Sequence, residues 1–138
     1  MSGDRGQPES PGKGRRILIA DDGAVSRKFL ERKLISLGFE VRCAEDGVNA
    51  LELMRTDLPA VVITDLNMPN LDGLELCRAM RQDSRLSSIP AILTCVNEVS
   101  ETDRRNAQEA GATTFVIRTP KLQEVVSALL HTLAVETP

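Results

Sequence analysis

The sequence contains no tryptophan and no tyrosine, and aromatic residues make up only 2% of it. Stacking of nucleic-acid bases on an aromatic platform is therefore not expected. There is a single histidine, His131. A Ser-His-Asp triad, a Cys-His pair or a multi-histidine metal site would all have to use it. The three cysteines, Cys43, Cys77 and Cys95, are odd in number, far apart and without CxxC spacing. That pattern suits free buried thiols in a reducing compartment, hence the cytoplasm, not a disulfide frame or a zinc site. No apolar run approaches the roughly 20 residues of a membrane span. No apolar segment follows the N-terminal charges, so no secretory signal is expected. The net charge is −3. Without a basic excess, direct nucleic-acid binding is not expected either. The phosphate-cradling patterns GxxxxGK[ST] and GxGxxG are missing after the first strand. Any chemistry must come from carboxylates, hydroxyls and basic side chains.

What is present reads as one domain. The chain has 138 residues, 41% hydrophobic and 27% charged, which is ordinary for a globular protein. Residues 1–14 read MSGDRGQPESPGKG, and eight of them are Gly, Pro or Ser. This stretch is expected to be a disordered tail or linker. A single domain is expected over residues 15–135.

From Arg15 onward short apolar runs alternate with amphipathic ones. Ile17-Leu18-Ile19-Ala20 reads as a strand. A helix follows over about 24–37, with Val25, Phe29, Leu30, Leu34 and Leu37 on one side. Gly38 is placed to end it. Glu40-Val41-Arg42-Cys43 alternates as an edge strand does. Asp46-Gly47 opens a helix through about Arg55. Residues 60–64 form an apolar-centred strand, and 65–72 a loop containing Pro69. Further elements are a helix over 73–82, a strand over 90–93, a polar helix over 100–110 stopped at Gly111, and a strand over 115–117. Thr119-Pro120 reads as an N-cap followed by proline at the first helical position. The last helix carries Leu122, Val125, Val126, Leu129 and Leu133.

Five βα units imply an α/β fold with a doubly wound parallel sheet. Right-handed crossovers and the half-polar second strand predict the flavodoxin-like (βα)5 order 2-1-3-4-5. Sites in such sheets lie beyond the C-terminal strand ends. Asp21 and Asp22 follow the first strand there, Asp65 the third, Thr94 the fourth and Arg118 the fifth. Three clustered carboxylates repel, and without a cation some would take up protons. Few, anionic oxygen ligands suit Mg²⁺. A carboxylate beside that ion can act as a nucleophile toward phosphorus. A cation and a hydroxyl can then stabilise the phosphoryl oxygens. Each residue also has a plainer reading. Asp21-Asp22 could cap the first helix, Thr94 could bond backbone, and Arg118 could be a solvated edge charge.

The segment Asp65-Leu66-Asn67-Met68-Pro69-Asn70-Leu71-Asp72-Gly73 carries an Asp-x-x-Met-Pro-x-x-Asp-Gly core after a strand. With Asp21-Asp22, Thr94 and Ala110-Gly111-Ala112, it resembles a response-regulator receiver domain of the chemotaxis type. The resemblance implies that Asp65 is the phosphoacceptor. It implies that Asp22 binds Mg²⁺ (or Mn²⁺) directly, Asp21 through water and Asn67 through its backbone carbonyl. Thr94 and Phe115 would be the switch pair, and the fourth helix, fifth strand and last helix the output face. The implied partners are a sensor histidine kinase or histidine phosphotransfer protein, and a downstream effector that the sequence does not name. The molecule would be a monomer or weak homodimer, and a phosphoacceptor switch with self-catalysed phosphorylation and dephosphorylation, not a conventional enzyme.

Two departures from the family pattern stand out. Arg118 occupies the position of the usual lysine, and Pro120 comes one residue late. Arginine keeps the charge but not the shape. These departures leave open an alternative: a phosphorylation-independent pseudo-receiver that acts as an interaction module. A phosphohydrolase with an aspartate nucleophile is disfavoured by the short loops. Val96 offers no polar group to orient a hydrolytic water, so a long-lived phosphoryl group is expected. No output domain is written after residue 134, so a stand-alone regulator or a piece of a larger protein is expected.

Overall fold

Ten elements alternate strictly between strand and helix along residues 14–136, the part of the chain described by the computed structural model. The strands are β1 (Arg16–Ala20), β2 (Glu40–Ala44), β3 (Val61–Asp65), β4 (Ala91–Cys95) and β5 (Thr114–Ile117). The helices are α1 (Ala24–Ser36), α2 (Gly47–Thr56), α3 (Gly73–Gln82), α4 (Glu101–Ala110) and α5 (Gln123–Glu136). Apart from Gly14, the segment read as a linker lies outside the described residues.

The strands form one sheet in the order β2-β1-β3-β4-β5, all parallel, as the alternation predicts. The two faces are built by strand alternation. Ile17, Ile19, Val61, Ile63 and Ile92 point to one side and pack with Leu30 and Leu34 of α1 and with Val125, Leu129 and Leu133 of α5. Leu18, Ala20, Val62, Ala91, Leu93 and Phe115 point to the other. There they meet Met54 of α2, Leu76 and Met80 of α3, and Ala107 of α4. Each fully buried aliphatic side chain contributes about 1.5–3 kcal/mol. The sheet is therefore held rigidly from both sides, and its C-terminal edge is a fixed platform.

Helix boundaries follow local chemistry. Asp72 caps α3 and Ser100 caps α4, each completing a reciprocal capping box, with Glu75 and Asp103 respectively. Gly111 closes α4 at φ 96°, a conformation that a side chain would strain.

Three expectations are corrected. Val25 and Phe29 do not join the core face of α1; they are 85% and 57% exposed. The buried stripe is set by Leu30 and Leu34, four residues apart, and Phe29 is turned about 100° away from it. Thr119-Pro120 does not start α5. The Leu122 amide bonds to the Thr119 carbonyl at 2.9 Å, making a turn. Leu122 adopts φ 59° and its carbonyl accepts the first helical bond, from Val126. This turn swings Leu122 into the core, where it is buried. Among the cysteines, Cys77 and Cys95 are buried but Cys43 is only half-buried, because β2 is an edge strand; all three are free thiols.

Candidate functional site

The C-terminal edge of the sheet collects the polar residues. Asp21 directly follows β1, and its amide extends the ladder to the Ala44 carbonyl of β2. Asp65 is the last residue of β3. Thr94, in β4, is its register partner. Arg118 follows β5 and is fixed by its amide bond to the Cys95 carbonyl at 2.7 Å. One oxygen from each of Asp21, Asp22 and Asp65 lies within 4.8 Å of the others.

The three carboxylates differ in environment. Asp21 is buried, and its carboxylate accepts three hydrogen bonds. Its Oδ1 accepts from the Gly23 amide at 2.9 Å. Its Oδ2 accepts from Ser26 Oγ at 2.6 Å and from Arg118 Nη1 at 2.5 Å. Asp22 is exposed, and Asp65 is intermediate. Burial, and then the Asp21 charge, push Asp65 from its usual 3.8 to about 6, against the opposing pull of Arg118. A cation beside it would favour its charged form.

Arg118 is almost fully buried and bridges two residues. Besides Asp21, it donates from Nη2 to Thr94 Oγ1 at 3.1 Å. Thr94 in turn donates to the Thr64 carbonyl at 3.4 Å. Arg118 is thus no solvated edge charge, and Gly23, not an aspartate, occupies the N-cap of α1. Phe115 is buried on the side of the sheet facing α2, α3 and α4, and its carbonyl accepts from Arg104 at 3.4 Å.

The loop bearing Asn67 is pinned at several points. The Gly73 amide bonds to the Leu66 carbonyl at 2.9 Å, and the Gly47 amide to the Leu71 carbonyl at 3.2 Å. Asn70, at φ 69°, donates from its side chain to Asp46 at 2.7 Å. Gly73 is required by crowding: a Cβ there would sit 2.4 Å from the Asp65 carbonyl oxygen. Asn67 is exposed and shares a shallow depression with Asp22, Met68, Pro69 and Asp72. The edge thus gathers Asp21, Asp22, Asp65, Thr94 and Arg118, with Asn67 beside Asp22.

Sequence reasoning missed Ser26 and Arg27. Ser26 bonds the Asp21 carboxylate, and Arg27 Nη1 donates to the Asp21 carbonyl at 2.7 Å. Their place in the first turn of α1, over the acidic pair, was the available signal. Hard oxygen donors, few in number, with one carboxylate open to solvent, fit a small divalent cation such as Mg²⁺ or Mn²⁺. Cys95 Sγ bonds the Asn97 carbonyl, and burial pushes its thiol up, so it is a packing group beside the site.

This constellation on this sheet defines a class. The family model described as the response regulator receiver domain matches residues 17–130. The chain belongs to the response-regulator receiver family. It is 40% identical over 119 residues to the "Probable transcriptional regulator ycf27" of Guillardia theta, covering 84% of this chain and 45% of that protein. It is 37% identical over 124 residues to "Response regulator MprA" of Mycolicibacterium vanbaalenii, covering 89% of this chain and 52% of that one. The chain therefore spans about half the length of these curated relatives. Among solved structures it is similar to the chemotaxis protein CheY4 of Vibrio cholerae, with TM-score 0.80, 26% identity and coverage of 86% and 98% of the two chains. A receiver domain of a signal transduction histidine kinase from Syntrophus aciditrophicus aligns with TM-score 0.81 and 26% identity, over 90% and 93%. The flavodoxin-like fold and the receiver class of two-component signalling follow. Among the described residues, no helix is long and apolar enough to cross a membrane.

Proposed function

We propose that Asp65 accepts a phosphoryl group from the phosphohistidine of a sensor histidine kinase or histidine phosphotransfer protein. The observation that carries this reading is the meeting of three carboxylates, a buried arginine and a buried threonine at the C-terminal edge of one parallel sheet. An Asp65 oxygen attacks phosphorus, the P–N bond breaks, and the leaving imidazole keeps the electron pair. Asp21, Asp22, Asp65 and the Asn67 carbonyl would hold Mg²⁺ or Mn²⁺, which neutralises charge on the phosphoryl oxygens when bound. Arg118 offers guanidinium donors to the same oxygens, and Thr94 a hydroxyl. Burial of Asp65 also favours transfer, because a poorly solvated carboxylate is the stronger nucleophile.

The protein acts as a switch that catalyses its own phosphorylation and dephosphorylation, not as a turnover enzyme. Movement of Thr94 toward the phosphoryl group would let Phe115 reorient and reshape the face formed by α4, β5 and α5 for a downstream effector. This work suits a cytoplasmic monomer or weak homodimer. A second reading, a phosphorylation-independent interaction module, draws on one observation: Arg118 already neutralises Asp21 from within the chain. Phosphotransfer separates the two. Incubation with a phosphorylated histidine phosphotransfer protein and MgCl2 should move label to this chain and not to Asp65→Asn. Absence of transfer from a panel of such donors, with acetyl phosphate also inert, supports the module.

A further inference from the structure

Arg118 makes contacts beyond what charge alone requires. Its side chain is 8% exposed and that of its partner Asp21 2%. Nη1 and Nη2 belong to one rigid planar fork. The first holds Asp21 Oδ2 and the second holds Thr94 Oγ1. With the Ser26 hydroxyl also on Oδ2, that oxygen has no acceptor capacity left for a third partner. The Nε–H of Arg118 is buried without a partner, so this pose leaves one of its donors unmet. A phosphoryl group on Asp65 would bring acceptors into the same pocket.

We propose that Arg118 is an internal cation that competes with the divalent ion for Asp21, so that metal entry loosens the guanidinium from Asp21 and with it the hold on the Thr94 hydroxyl. Metal binding and freeing of Thr94 are then one linked equilibrium. The planar fork fixes these two contacts relative to each other, which the freely rotating donors of a lysine ammonium would not. Arg118 is here a positioning residue that acts on the metal ligand and the threonine together. The inference rests on the metal-dependent reading of the site given above.

The test is an NMR titration of the full chain, unphosphorylated, with MgCl2. The Arg118 Nε–H and the Thr94 methyl are followed in the wild type, and Mg²⁺ affinity is measured for wild type, Arg118→Lys and Arg118→Gln. In the wild type both signals should move with the midpoint of Mg²⁺ binding. Arg118→Gln, which removes the charge, should bind Mg²⁺ at least about fivefold more tightly, the low end of ordinary site-to-site coupling, whereas Arg118→Lys, which keeps it, should stay closer to the wild type. Binding by Arg118→Gln but not by the wild type gives the same support. If Arg118→Gln does not fold, the wild-type titration carries the test. Mg²⁺ binding that leaves Thr94 and Arg118 unmoved, or wild-type affinity in a folded Arg118→Gln, overturns the competition alone. No Mg²⁺ binding by any of the three overturns the metal-dependent reading itself.

Discussion

Asp65 and Thr94 are register partners on adjacent parallel strands, and the Leu66 amide just beyond Asp65 donates to the Thr94 carbonyl at 2.8 Å. The proposed acceptor and the proposed switch hydroxyl are therefore fixed to one backbone ladder. Thr94→Ala should still accept a phosphoryl group at Asp65, though more slowly, while abolishing the response of the Phe115 ring signals to phosphorylation. It should also cost about 1–3 kcal/mol of stability, because Arg118 Nη2 loses its buried acceptor. NMR of the phosphorylated variant checks the first part and urea unfolding the second. A Phe115 ring that still responds would remove Thr94 from the switch.

The raised Asp65 group has a defined pH signature. Its folded value, about 6, lies above its usual 3.8. The folded state thus binds the proton more tightly, and its contribution to stability is present below about 3.8 and lost as pH rises through about 6. Asp65→Asn removes that loss. It should melt higher than wild type at pH 7–8 in metal-free buffer, with the gap closing as pH falls toward 4. Thermal melts across that range decide it; a gap that widens on acidification contradicts the assignment.

Gly73 and Leu129 separate site geometry from general stability. Gly73→Ala drives a Cβ against the Asp65 carbonyl and Leu93. It should cost about 1–3 kcal/mol by overpacking and also slow phosphoryl uptake, because the Asp65 backbone must shift. Leu129→Ala opens a cavity in the core between the sheet, α1 and α5, and should cost about 2–5 kcal/mol. Uptake per folded molecule should be unchanged. Equal slowing in both variants would deny Gly73 any special relation to Asp65.

Val96 is 71% exposed and lies two residues beyond Thr94. It offers no polar atom to order water over the site. Val96→Glu should shorten the phosphoryl lifetime at least roughly tenfold, well below the hundredfold or more of a fully positioned general base. Loss of phosphate followed over time in wild type and variant checks this; matching rates contradict it.

The sheet was legible because five short apolar runs alternate with longer amphipathic ones, and a half-polar strand such as Glu40–Ala44 belongs at an edge. The carboxylates were legible because strand ends on one sheet must converge. The errors fell where tertiary placement overrides local pattern. Val25 and Phe29 are apolar, yet the rotation of α1 is set by Leu30 and Leu34. Thr119-Pro120 has helix-start chemistry, yet the chain spends three residues on a turn that buries Leu122. The partners of Arg118 could not be read from spacing, because its fork reaches across 97 residues to Asp21 and 24 to Thr94.

The most direct test of the central claim is intact mass after incubation with MgCl2 and acetyl phosphate, run beside Asp65→Asn. The account predicts a gain of one phosphoryl group in the wild type and none in the variant. A folded wild type that gains nothing, or a variant that gains as much, would contradict it.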